Sequence, residues 1–282
     1  MTITEYITSG ALKTFNGGVI DSGSQTTTPL VALNPKLLNV EVSAGVKARL
    51  VVVCTDSVTA SVEITLNEGA ELDMVELYLK DSHVAVTVHQ RQGSSLNIFS
   101  ALLSSSNISY THLLEGQHAN NALNALYIAT GNDHATLNLN TRHLVPECTS
   151  RTLIKGIAAH RATGEFRGLV YVAPDAQQTD AQQQSRNIEL DNSHIVSLPQ
   201  LEIYADDVRC SHGSTVGYED KDALFYMRQR GIDETTARRL QIEGFVQDVV
   251  MHCSLEPLCS LVRDIVSDMQ EYTSTQEIKE TI

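Results

Sequence analysis

Apolar and polar residues alternate one for one through Val58, Ala60, Val62, Ile64 and Leu66, and the run stops at the turn-forming Asn67, Glu68 and Gly69. On an extended chain successive side chains point to opposite faces, so the alternation predicts a strand with one buried face and excludes a helix there. The pattern returns at a fixed interval: Gly45, Gly69 and Gly93 are 24 residues apart, with Gly116 one residue early. Apolar positions keep the same phase, as in Ala48, Leu72 and Leu96, then Leu50, Met74 and Ile98, then Val62, Val86 and Tyr110, then Ile64, Val88 and His112. Each unit reads as strand, turn, strand. Strands this short cannot bury a face alone and gain stability by stacking on the next unit, which predicts a mainly β fold, a parallel β-helix. A β-sandwich would also give alternating strands and glycine turns, but its loops vary in length where this spacing is constant. After about residue 116 the period blurs and irregular coils are expected, although residues 135–140 and 168–172 keep strand alternation. Gln177, Gln178, Gln182, Gln183, Gln184, Asn187 and Asn192 read equally as a polar linker or as amide ladders stacked along the solenoid.

From Asp220 the period becomes helical. A first helix is expected over 221–230, closed by Gly231, and Asp233 stands as the N-cap of a second. The second carries Ala237, Leu240, Gly244, Phe245 and Val249 on one stripe, widened by Ile242, Val246 and Val250. A third starts near Ser254 with Pro257 in its first turn and aligns Leu258, Leu261, Val262, Ile265 and Met269. The chain thus divides into a β-helical core over 1–217 and a C-terminal α-helical region over 218–282, with a frayed polar tail over 273–282. The helices have more apolar surface than one contact needs; they either cover the exposed end of the solenoid or dock a partner, or both.

Composition narrows the function classes. Acidic residues outnumber Lys and Arg by 34 to 20, for a net charge of −14, so no broad basic surface exists for nucleic acid. No apolar run of membrane-spanning length occurs and residues 1–10 lack the build of a secretory signal, which leads to the expectation of a cytoplasmic protein that does not engage membranes. The five cysteines, Cys54, Cys148, Cys210, Cys253 and Cys259, contain no C-x-x-C and are expected to be free thiols. With no Trp, the core is expected to consist of stacked aliphatic layers.

Cys210 and His212 follow a strand-like segment, and residues two apart on an extended chain share a side. A thiolate and an imidazole are ligands suited to iron and iron–sulfur clusters, though the same pair also describes a buried thiol beside a hydrogen-bonded histidine. Cys253 and Cys259, six apart across a helix start beside His252, do not share a helical face and are read as packing residues. β-Helices also host polysaccharide-active enzymes that use paired carboxylates, for which Asp191, Asp206 and Asp207 are candidates. The scarcity of aromatic platforms argues against that reading, and no G-x-x-x-x-G-K-[ST] loop is present to bind nucleotide.

Between residues 163 and 249 the sequence resembles the SufB/SufD family of iron–sulfur cluster assembly proteins. Phe166, Arg167, Gly168, Leu169 and Val170 match an F-R-G-L-V strand, and residues 176–181 match an A-Q-x-T-D-A turn. Residues 199–208 match P-x-L-E-I-x-A-D-D-V and lead into Cys210, Ser211, His212 and Gly213, while residues 224–232 resemble the L-F-Y-L-x-S-R-G-I helix. The resemblance implies a right-handed parallel β-helix acting as a non-catalytic scaffold. It implies pairing with a SufB-like subunit or a second copy of the chain, and a transient iron–sulfur cluster at the junction, held by His212 with Cys210 in support, with no stably bound cofactor. It also implies docking of a SufC-type ABC ATPase through Leu224, Phe225, Tyr226, Arg228, Arg230 and Gly231. Two departures from the family pattern stand out: strand-like sequence begins within the first fifty residues where longer SufD proteins have a helical domain, and the SufB-type cysteine is replaced near Ser193. The second places the chain on the SufD side.

Overall fold

The computed structural model describes residue 6, residues 11–21 and residues 28–268. The described strands are β1 (Lys13–Thr14), β2 (Gly18–Ile20), β3 (Leu30–Leu33), β4 (Leu37–Val42), β5 (Lys47–Cys54), β6 (Val58–Leu66), β7 (Glu71–Tyr78), β8 (Ser82–Gln90) and β9 (Ser95–Leu102). They continue as β10 (Ser106–Leu114), β11 (Asn120–Ala129), β12 (His134–His143), β13 (Thr149–Ala158), β14 (Thr163–Val172), β15 (Asp180–Glu189), β16 (His194–Ile203) and β17 (Arg209–Gly217). After them come helices α1 (Lys221–Gln229), α2 (Glu234–Val250) and α3 (Glu256–Asp268). The odd-numbered strands form one sheet and the even-numbered strands another, and neighbours within each sheet run parallel. Each coil therefore gives one strand to each sheet, and the fold is a parallel β-helix with its aliphatic core between the two sheets.

The expected alternation is what the coils use. Leu50, Met74, Ile98 and Leu123 stack in register up the interior of the odd sheet. Gly45, Gly69 and Gly93 occupy one repeated corner with φ of 69°, 65° and 63°, and each amide donates to the corner of the following coil at 2.8 Å. The next such corner is at His118 (φ 60°), not Gly116, which is glycine for a different reason: a Cβ there would lie 1.9 Å from the Gln92 nitrogen.

The expected irregular coils after residue 116 do not occur. Val58, Ser82 and Ser106 pair at 24-residue steps, but Ser106 pairs with Ala135, Ala135 with Gly164, and Gly164 with Ile195. The steps thus lengthen to 29, 29 and 31 residues while pairing stays continuous through β17. Strands of ten residues and wider corners absorb the extra chain, so the repeat changes length without losing its stacking. The glutamine-rich stretch is no linker: most of it is β15, whose Gln183 and Asn187 point into the buried interior.

The helices flank the solenoid and do not cover its end. Ile242, Val246, Val249 and Val250 of α2 and Leu258, Cys259, Val262 and Val266 of α3 pack on Val51, Val53, Val75, Leu77, Phe99, Ala101, Leu126, Ile128 and Ile157, the outer face of the odd sheet. Burying each such aliphatic side chain is worth about 1.5–3 kcal/mol, which fixes both helices to the sheet. The buried face of α2 combines Ala237 and Val249 of the expected stripe with Ile242, Val246 and Val250, expected to widen it, while Leu240 is exposed. Lys155 reaches from β13 to pair with Asp248 at 3.1 Å and lies over the Phe245 ring at 4.2 Å. Met269 and the tail over 273–282 lie outside the described residues.

Candidate interface site at the open end of the solenoid

Among the described residues β16 and β17 are the last strands of their sheets, and with α2 and α3 elsewhere no described strand pairs with their outer backbone edges. Apolar side chains remain exposed beside it, among them Leu198, Ile203, Tyr204, Val216 and Tyr218. Such an edge is a template for another strand, and here it is long, with ten residues in β16 and nine in β17.

Within β17, Cys210 packs on the interior cluster of Val170, Val172, Ala176, Ala181 and Ala205, and the Ser214 hydroxyl donates inward to Ser197 at 2.8 Å. His212 lies between them on the same face, in register with Gln183 of β15. The thiol and the imidazole thus lie on one side of β17, the first half-buried and the second exposed. Burial pushes the Cys210 thiol above its ordinary value, opposed by the backbone of Ala181 and reinforced by the charge of Asp180. It is held as a neutral thiol, and a metal that binds it must displace the proton.

The interior behind this pair differs from the rest of the solenoid. One ladder reads Val52, Glu76, Ser100, Ala125, Ile154, Ser185 and Ser214, and its neighbour Leu50, Met74, Ile98, Leu123, Thr152, Gln183 and His212. The last coils are polar inside. Ser197 donates to Ser185 at 2.9 Å, Asn187 to Ser185 at 3.0 Å, and Tyr127 to Asn187 at 2.7 Å. Glycines make the room: a Cβ at Gly156 would lie 2.1 Å from the Tyr127 ring, and one at Gly168 would lie 2.5 Å from the Gln183 amide. Gly168 is the glycine of the Phe166 to Val170 motif, so that motif encodes space for an interior amide. This polar column was not read from the sequence, although the polar residues at interior positions of the last strands carried the signal. Gly213 is different, since a Cβ there would meet nothing within 4 Å and its φ is not positive. No contact among the described residues requires glycine at that point, whereas a close approach from outside would.

Among the described residues, no three His, Cys, Asp or Glu side chains are grouped to hold a metal ion. Cys210 and His212 are two donors of suitable chemistry, half of a four-ligand set, and so fit a cargo shared across a junction. Ser193 is bound into the corner before β16: its hydroxyl donates to the Ala158 carbonyl at 2.8 Å and accepts from the Leu190 amide at 3.2 Å. Cys54 and Cys148 are buried thiols. Cys253 and Cys259 are not free, as expected from the sequence, but joined in a disulfide with Cα atoms 5.8 Å apart. Counting positions along a helix misses this, because Cys253 belongs to the turn that folds back over the start of α3. The candidate carboxylates do not converge: Asp191 lines a cleft with Glu219 and Arg238, and Asp207 lines a separate one with Asp180 and Arg209.

The second candidate surface is α1. Asp220 caps it by accepting from the amides of Asp222 and Ala223, and a Schellman motif closes it, with Ile232 bonded to Met227 and Gly231 (φ 85°) to Arg228. Leu224 turns into the chain's own packing, whereas Phe225 and Tyr226 are 63% and 58% exposed. Arg230 lies 4.9 Å over the Tyr226 ring, and Arg228 pairs with Glu234 at 3.1 Å. α1 therefore projects two aromatic rings and two guanidinium groups away from the solenoid.

Residues 25–245 match the family model described as SUF system FeS cluster assembly, SufBD core domain. The chain is 36% identical over 137 residues to the iron–sulfur cluster assembly protein SufD of Escherichia coli K12, covering 48% of this chain and 32% of that protein. It is 37% identical over 135 residues to a SufBD family protein of Synechocystis, covering 48% and 29% respectively. It is 42% identical over 120 residues to the chloroplastic protein ABCI7 of Arabidopsis thaliana, covering 41% and 25%. The matches span about a third of the length of these relatives. With most of its length matched by that model, and with the stacked coils and C-S-H-G edge strand in place, the chain belongs to the SufBD family of iron–sulfur cluster assembly proteins.

Proposed function

We propose that the chain is a SufD-like scaffold subunit without turnover of its own, which pairs through β16 and β17 with a SufB-like subunit or a second copy of itself. The observation that carries this is the uncovered edge with Cys210 and His212 on its interior side and an unexplained Gly213 beside them. The nascent iron–sulfur cluster is the cargo, held transiently at the junction by His212 with Cys210 in support, and the partner supplies the remaining ligands. α1 docks a SufC-type ABC ATPase in the cytoplasm. Closure of two such ATPase subunits on ATP moves the attached α1 helices and opens the junction, so the free energy for exposing the buried ligands comes from the partner. No helix among the described residues is long and apolar enough to cross a membrane.

The test is anaerobic reconstitution, with ferrous iron and sulfide, of the complex co-purified from its native host. His212→Ala is expected to lower the cluster yield at unchanged complex recovery. An unchanged yield removes His212 from the site.

A further inference from the structure

Gln183 is fully buried immediately behind His212. Its Nε2 donates to the Gly168 carbonyl at 3.3 Å, which fixes the amide's orientation, and its Oε1 has no hydrogen-bond partner. A buried carbonyl oxygen left unpaired is costly, and a residue of similar volume without the amide, such as leucine, would avoid that cost. The fold nevertheless clears space for this side chain, since Gly168 has no side chain where a Cβ would come within 2.6 Å of either amide atom. On the same ladder the rung behind Gln183 is Thr152 and the rung in front is His212, beyond which the described residues supply no further strand. The Thr152 hydroxyl is in register but makes no bond to Oε1, which leaves the His212 ring as the in-register donor on the open side.

We propose that Gln183 is a positioning residue: its Oε1 accepts the ring N–H of His212 when a partner covers the open end, leaving the other ring nitrogen's lone pair directed at the cargo. This rests on the reading of His212 as a ligand. In the uncovered chain the imidazole is hydrated and has no need of that acceptor. Once the end is covered, water leaves and the amide becomes the partner that sets the tautomer and the ring plane. The arrangement also accounts for the unpaired amide oxygen within the polar last coils.

The test uses the same reconstituted complex, reduced to a paramagnetic cluster, with pulsed electron paramagnetic resonance reading the coupling of both nitrogens of a ligated imidazole. Gln183→Leu is expected to shift the signal of the remote ring nitrogen and to lower cluster retention by about tenfold, the size of loss typical when a ligand's hydrogen-bond partner is removed. Its melting temperature should be unchanged or raised, because a merely structural amide would show the opposite. Gln183→Glu, which keeps an acceptor oxygen, should restore the remote-nitrogen signal. An imidazole signal that is identical in the parent and in Gln183→Leu overturns the role of Gln183 and leaves His212 as a ligand. Absence of any imidazole signal in the parent overturns both.

Discussion

Glu76 sits in the aliphatic interior with Tyr110 donating to its carboxylate and Ser100, Tyr78 and Cys54 around it. Burial pushes its carboxyl up to about 7, against the lowering effect of the Tyr110 hydroxyl. The folded chain therefore keeps a proton that the unfolded chain releases near 4.5, and the stability this contributes is present below that pH and lost as pH rises through about 7. His112 and His143 act at the other end: burial lowers both to about 4, so their contribution is present above 6.5 and lost as pH falls through about 4. The two effects leave a maximum of stability in mildly acidic solution. Glu76→Gln keeps the hydrogen bond without the charge and should raise stability by roughly 3 kcal/mol at pH 8 and hardly at all near pH 4. Denaturant melts at the two pH values check this, and equal gains at both would count against a buried charge as the cause. None of this was legible beforehand, because Glu76 looks like one of many acidic residues until the register places it inside.

Among the elements, α1 is separable in function from α2 and α3. The latter two carry the apolar contact with the odd sheet, so deleting the whole helical region would expose that sheet and confuse unfolding with lost docking. Phe225→Ala combined with Tyr226→Ala avoids the difficulty. Both rings are exposed, so the double variant should stay within about 0.5 kcal/mol of the parent in stability. Affinity purification from the native host should nevertheless lose the ABC ATPase; its undiminished recovery would place the docking surface elsewhere. The starts of α1 and α2 were legible because Asp220 and Asp233 are caps with a direct chemical role. The buried face of α2 was not, because two overlapping stripes exist and only the sheet decides that Ile242 and Val246 turn inward while Leu240 does not. The same holds for the strands. Alternation over 58–66 reads directly as β6, whereas a search at the 24-residue interval fails once Ser106 pairs with Ala135 and the coil is longer. Cys210 and His212 were readable as a pair because residues two apart on a strand share a side. Gln183 was not, because nothing in a glutamine-rich run reveals which amides face inward.

On the scale of the whole molecule, protection is unevenly distributed. β7, β9 and β11 are paired on both sides and enclosed between the core and the helices, while β16 and β17 are paired on one side only among the described residues. Backbone amides of β16 and β17 should therefore exchange with deuterium fastest among the long strands, and should slow once the native complex forms. Mass-spectrometric exchange on the free chain and on the complex reads this directly. Equal exchange of peptides from these strands in the two states would mean that the partner binds some other surface.

The parallel direction of every pairing has a further effect. Strands β1 and β2, at the opposite end, span two and three residues against the nine and ten of β17 and β16. Head-to-tail growth would set long strands beside very short ones and, being heterologous, would have no natural stopping point. A two-fold axis at the long edge instead turns one copy against the other, makes the junction antiparallel within an otherwise parallel fold, and ends growth after a single step. Under the proposed pairing, a coil that could in principle be extended without limit would be directed toward a closed pair.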